Sequence, residues 1–195
     1  MSIRIEETYY PNSTFKLRCY YNDANQFHRE DGPARGSFYG DGALLRSAWY
    51  NHGAIHREDG PAVEWFYKDG TLELRHYYHN NKLHREDGPA AEQFFQDGTL
   101  ELRHYYYNGR LHRIGAPSFE DFYQNGKISV RSWHIEGNLH REDGPADESF
   151  TEVGHLIQSS YYLNGRRFSK TEHTRQIALL KLNLLQKEHV SEVLL

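Results

Sequence analysis

Large apolar residues recur along this chain at a fixed interval of 28 residues. Rings stand at Tyr21, Trp49, Tyr77, Tyr105, Trp133 and Tyr161, and a second series runs Phe38, Phe66, Phe94, Phe122, Phe150. Between them, short runs such as 62–68 (AVEWFYK) and 71–78 (TLELRHYY) are rich in aromatic and branched residues, which suits strands. Asp-Gly or Asn-Gly separates the two runs at 41–42, 69–70, 97–98 and 125–126, a hairpin signal for which a type I′ turn is expected. A second turn position, Asn25, Gly53, Asn81, Gly109, Gly137 and Gly165, follows each second run. No run between turns is long enough for a helical crossover, so neighbouring strands should be antiparallel.

Each unit closes on one tract. His-Arg-Glu-Asp-Gly-Pro-Ala occurs unchanged from His28, His56, His84 and His140, and a degenerate copy, His-Arg-Ile-Gly-Ala-Pro-Ser, begins at His112. Residues 1–168 therefore read as an array of about five to six hairpin repeats in one elongated antiparallel sheet. Two strands per unit advance the array roughly 10 Å, so equivalent residues form ladders along it. A sheet this wide must curl or let its rings shield both faces.

The ends depart from the repeat. The segment 8–22 reads as a worn first hairpin, with Pro11-Asn12-Ser13 in place of Asp-Gly. After Phe168, Ser169-Lys170-Thr171-Glu172 has the form of a capping box, and 169–195 reads as a helix. Ile177, Leu180 and Leu184 fall on one stripe, with Ala178, Leu182, Leu185 and Val193 on a neighbouring one. Such a face is expected to be buried, either as a cap over the last strand or against a second copy in a homodimer. A foreign partner is the third choice.

Composition narrows the function classes. Of 195 residues, 37% are hydrophobic and 14% aromatic, so the core is built from rings more than from aliphatics. A net charge of −4 argues against a nucleic-acid backbone as partner. Cys19 is the single cysteine, which rules out an intrachain disulfide and suits a reducing, cytoplasmic compartment. No apolar run reaches the length of a membrane span.

The tract itself reads first as a structural connector. Pro33, Pro61, Pro89, Pro117 and Pro145 belong at strand entrances, and Gly before Pro escapes the restriction on a Cβ-bearing neighbour. The connector side chains are His28, Arg29 and Asp31; His56, Arg57 and Asp59; His84, Arg85 and Asp87; His140, Arg141 and Asp143. Repeated His-x-x-Asp could ligate metal, but histidines ~10 Å apart cannot share one ion. A row of Arg and His could attract an anion, yet the adjacent acids offset it. A catalytic His-Asp pair lacks any recurring nucleophile. No catalytic residue, metal or cofactor is assigned.

The combination of Tyr-Tyr-x-Asn-Gly with a second Asn/Asp-Gly about 17 residues on resembles the MORN-variant repeats of bacteria, phages and large viruses, in the longer His-Arg-x-Asp-Gly-Pro-Ala form. The resemblance covers roughly 8–168. It implies stacked hairpins that serve as a platform for proteins, and for viral members a scaffold that binds and inhibits a host factor in the host cytoplasm. It transfers no catalytic residue. The expected function is a non-enzymatic interaction scaffold, with Trp65, Tyr67, His76, Arg103 and His104 as candidate contacts. The alternative is a sponge for a small anionic ligand such as a nucleotide, held between repeats or across a dimer.

Overall fold

A computed structural model describes residues 3–193, with side chains up to 186; Met1, Ser2, Leu194 and Leu195, and the side chain of Val193, lie outside it. The architecture is a single 13-stranded antiparallel sheet whose strands follow one another in chain order, with one C-terminal helix, Lys170–Val193. No helix among the described residues is long and apolar enough to cross a membrane.

Each unit contributes two strands to the main sheet. In the second complete unit these are Val63–Phe66 and Leu72–His76, paired from Val63↔His76 to Phe66↔Leu72. Leu72–His76 then pairs with Ala91–Phe94 of the next unit, so each hairpin is hydrogen-bonded to both neighbours. The repeat also holds a second, shorter hairpin that the sequence pattern concealed. Here it is Tyr78–His79 against Lys82–Leu83, a two-stranded ladder separate from the main sheet.

The type I′ turn expected at Asp-Gly is not found there. At 67–71 the amide of Gly70 donates to Tyr67 O (2.9 Å) and that of Tyr67 to Thr71 O (2.8 Å), with positive φ only at Gly70 (+87°). That is a three-residue loop, a type I turn closed by a glycine bulge, and the register shifts between Trp65 and Phe66 beside it. Asp69 adopts an ordinary φ because its carboxylate accepts the Thr71 amide (2.9 Å). The type I′ turns sit instead in the short hairpins, where two consecutive residues have positive φ, as at Asn80 (+48°) and Asn81 (+63°) or Asn108 (+48°) and Gly109 (+81°).

The core is thin and made of small residues. The last residue of each tract, Ala34, Ala62, Ala90, Ser118 and Ala146, is 0% exposed. Rings and ions shield the sheet. Arg75, Arg103 and Arg131 pair with Glu92, Glu120 and Glu148 of the following unit at 2.6–2.7 Å, and each guanidinium also lies over Phe94, Phe122 or Phe150 at 5.2–5.6 Å. Along the opposite edge, the hydroxyls of Tyr39, Tyr67 and Tyr123 donate to Phe66 O, Phe94 O and Phe150 O of the next unit at 2.8–2.9 Å.

The helix starts at the expected capping box: Glu172 N–H donates to Ser169 Oγ (3.2 Å) and Ser169 N–H to Glu172 Oε2 (3.0 Å). Within one chain its apolar face is covered only in part. Among its described side chains only His173 and Ile177 are buried, while Ala178 is exposed and Leu180 (47%), Leu182 (51%), Leu184 (60%) and Leu185 (63%) stand in solvent. The first two turns rest on the last unit, with His173 against Tyr161 at 5.2 Å between ring centroids and His173 Nε2 bonded to Arg141 O (2.7 Å). Beyond Ile177 the described side chains, up to residue 186, are exposed.

Candidate functional site: the connector edge

The five tracts line one edge of the array, and their residue types explain the local geometry. In each full tract Arg Nε donates to the Asp two residues on, at 2.6–2.9 Å (Arg29–Asp31, Arg57–Asp59, Arg85–Asp87, Arg141–Asp143). The guanidinium then lies over the ring that follows the preceding strand. Arg57 covers Trp49 at 4.1 Å, Arg85 covers Tyr77 at 4.1 Å and Arg141 covers Trp133 at 3.8 Å. This contact also gives the glycine of the tract its reason. A Cβ on Gly32, Gly60, Gly88 or Gly144 would meet Arg Cζ at 2.8–3.1 Å. The need is for close approach by the arginine, more than for freedom before proline.

In the first unit the partner of Arg29 is Tyr20, at 4.3 Å, and not Tyr21. Residues 22–26 form a longer turn than the two-residue loops of later units, which displaces the ring by one position. A count at strict 28-residue spacing could not see this.

Histidine works as a clamp between units. Nδ1 of His28, His56, His84, His112 and His140 accepts the backbone N–H of residue 52, 80, 108, 136 and 164 respectively, at 3.1–3.3 Å. Each of these amides belongs to the first residue of a type I′ turn, where backbone donors need a partner. An imidazole that accepts at Nδ1 carries its proton on Nε2. In the four full tracts Nε2 faces the Glu two residues on at 3.7–3.8 Å.

The degenerate tract keeps the parts that hold the fold. Arg113 stacks on Tyr105 at 3.8 Å and donates to Pro117 O at 3.1 Å, without an Asp. Ala116 occupies the place of the usual glycine, and Gly115, at φ +74°, lets the backbone take a different path there.

Between successive tracts lie open clefts. One of these, of about 710 Å³, has the tract at 57–61 as one wall, His84–Asp87 as the other and Tyr77, Tyr78 and His79 as its floor. Equivalent clefts of about 600, 580 and 470 Å³ lie between the neighbouring tracts, and one of about 390 Å³ beside the first. Rings line this edge as a pair, His28–His52, and a run, His56–His79–His84–Tyr107–His112, with successive centroids 4.3–6.0 Å apart. Carboxylates dominate the rims. Side chains of Glu58, Asp59, Glu86 and Asp87 are 77–87% exposed, whereas Arg57 and Arg85 are only 23–25% exposed beneath them. The arginine partner holds the carboxyls of Asp31, Asp59, Asp87 and Asp143 below the usual range, so they remain ionised.

The five contact residues expected from sequence lie elsewhere, and each is half-buried. Trp65 packs under Arg46 at 5.4 Å, Tyr67 bonds Phe94 O, and Arg103 pairs with Glu120. His104 bonds Asp121 (2.8 Å) and stacks on Phe119 at 3.9 Å, and His76 packs edge-on to Tyr78 at 6.1 Å. Burial lowers the imidazole pKa of His76 and of His134, and the nearby His104 adds to the shift. These side chains tie units together in the sheet. The clefts were missed because walls and floor come from different units; the signal was the Glu-Asp pair of each tract, read only as offsetting the arginines.

Among the described residues no group of three or more His, Cys, Asp or Glu is placed to hold a metal ion. Comparison with models of known protein families and with characterised proteins gave no match, so this edge is read from its own geometry.

Proposed function

We propose that this protein is a non-enzymatic interaction scaffold and that its connector edge receives an extended, basic segment of a partner protein. The observation that carries this reading is the repetition of one cleft along the edge, with carboxylates on both walls between full tracts and on one wall beside the degenerate tract. Around the cleft of about 710 Å³ stand four carboxylates and two guanidiniums already committed to Asp and to a ring. Such a rim attracts cations and repels the phosphates of a nucleotide, which favours a basic protein segment over the anionic sponge. The floor adds Tyr and His rings, and aromatic faces favour ammonium or guanidinium heads. Spacing sharpens the expectation. Units advance ~10 Å and an extended chain ~3.3 Å per residue, so a matching segment carries a Lys or Arg about every third residue. On the resemblance to viral and phage repeats, that partner would be a host factor.

The test is binding of a labelled peptide of about 15 residues with Arg at every third position, compared with a scrambled peptide and with inorganic polyphosphate. The scaffold reading expects the periodic peptide to bind more tightly than the scramble, with affinity falling as salt is raised. Charge reversal at Glu58 and Glu86, both exposed, should weaken it about tenfold or more. Preference for polyphosphate would move the reading to the anionic sponge.

A further inference from the structure

We propose that the C-terminal end of the array is a self-association surface that joins two copies of this chain about a two-fold axis. The surface combines the outer edge of Leu156–Leu163 with the uncovered sides of the helix.

The sheet is unfinished at this end. In the preceding unit, Val130, Arg131 and Ser132 pair outward with Ser149, Glu148 and Asp147 of the next strand. Their equivalents Gln158, Ser159 and Ser160 pair inward with the same three residues, and among the described residues no strand lies on their other side. The strand Arg166–Phe168 pairs only with Tyr161–Leu163. An open edge of this kind is a template for another strand.

Charge decides which strand it accepts. The edge Leu156-Ile157-Gln158-Ser159-Ser160 has no ionisable side chain, while the opposite edge of the array, Arg4–Tyr9, carries Arg4, Glu6 and Glu7. An uncharged edge meets its own copy without like-charge repulsion, and two identical antiparallel edges close a dimer and leave no end to propagate. The charged edge at the other end discourages growth into a filament.

The helix supplies the apolar area. Leu180, Leu182, Leu184 and Leu185 are 47–63% exposed, and Leu156 and Ile157 on the edge strand are 54% and 63% exposed. A fully buried aliphatic side chain removes on the order of 80–100 Å² from water, so these six offer roughly 300 Å² per copy. Interfaces are about 60% apolar, which places the whole surface near 500 Å² per copy and 1,000 Å² in total, the size that separates specific association from casual contact. The helix thus offers leucines to a partner on sides that the sheet leaves open.

The experiment is sedimentation equilibrium on the full chain at micromolar to tens-of-micromolar concentration, with amide exchange at Ser159 as a second readout, since Ser160 O already accepts Ala146 N–H and consecutive residues of a strand point their amides to opposite sides. The expected species has twice the 23.0 kDa chain mass, with exchange at the Ser159 amide slowing as concentration rises. Leu182→Glu with Leu185→Glu, and separately Ile157→Lys, should each weaken association at least tenfold while circular dichroism is unchanged, since all three side chains are exposed in the single chain. A monomer at every concentration, an open-ended series of oligomers, or a dimer indifferent to both variants would overturn the proposal.

Discussion

Removing one connector arginine tests the account of the tract most directly. Arg57→Ala deletes the guanidinium over Trp49 (4.1 Å), the bond to Pro61 O (3.3 Å) and the group filling the space against Gly60. A cation over a ring contributes ~0.5–2 kcal/mol depending on desolvation. The Arg57 side chain is only 23% exposed, which puts it in the upper part of that range. The bond to Pro61 O adds ~0.5–1.5 kcal/mol. The ion pair with Asp59 adds little, because that carboxylate lies open to solvent. The expected cost is therefore ~2–3 kcal/mol, or a fall in Tm of ~5–10 °C for a chain of this length. Calorimetry reads it, with the fluorescence of Trp49 as a local reporter. Arg57→Lys should recover less than half, since an ammonium lacks the planar face. Asp59→Asn should move Tm by no more than about 2 °C. An unchanged melting curve for Arg57→Ala would refute the reasoning. So would an equal loss from Asp59→Asn, which would place the stabilisation in the ion pair.

Further outcomes follow from the same geometry. Ala90 is 0% exposed, so Ala90→Leu should cost ~1–3 kcal/mol in denaturant unfolding, while no loss would mean the inter-unit space is larger than it is drawn. Tyr67→Phe removes only the bond to Phe94 O and should cost ~0.5–1.5 kcal/mol in the same assay. The pKa values of His76 and His134 are lowered by burial, so the unfolded chain binds protons first as pH falls. Stability should be full above the ordinary histidine pKa of about 6.5 and decline as pH drops from there through the lower folded values. His76→Gln should flatten that dependence. Cys19 is buried, which raises its thiol pKa, so a thiol reagent should react at the rate at which the first unit opens.

Much of the fold was legible because the repeat multiplies each signal. The turns were located wherever Gly or Asn recurred, and the antiparallel order followed from the absence of any segment long enough to cross over. Turn chemistry was less legible. Asp69-Gly70 has the form of a type I′ pair, but an Asp carboxylate that accepts the amide two residues on stabilises the ordinary φ, and only Gly70 turns left-handed. The short hairpins stayed hidden because Tyr77–His79 reads as one continuous run with Leu72–His76; the chain breaks there so that the Tyr77 ring can lie under Arg85. The glycine of the tract looked like a backbone requirement and proved to be a packing one. For the connector edge, the sequence placed the charges, but no local pattern shows that two successive tracts enclose a cleft.

The sequence by itself determined the repeat length, the strand and turn positions, the connector residues and the capped C-terminal helix. All of these rest on interactions within about one unit, between residues near one another along the chain. Only the tertiary structure decided which ring each arginine covers, which amide each histidine clamps, and that the helix leaves its leucines in water. Those outcomes depend on how one unit lies against the next. The one-residue shift to Tyr20 shows why counting along the chain is insufficient: contacts follow hydrogen-bond register, and a longer turn moves the register without disturbing the repeat.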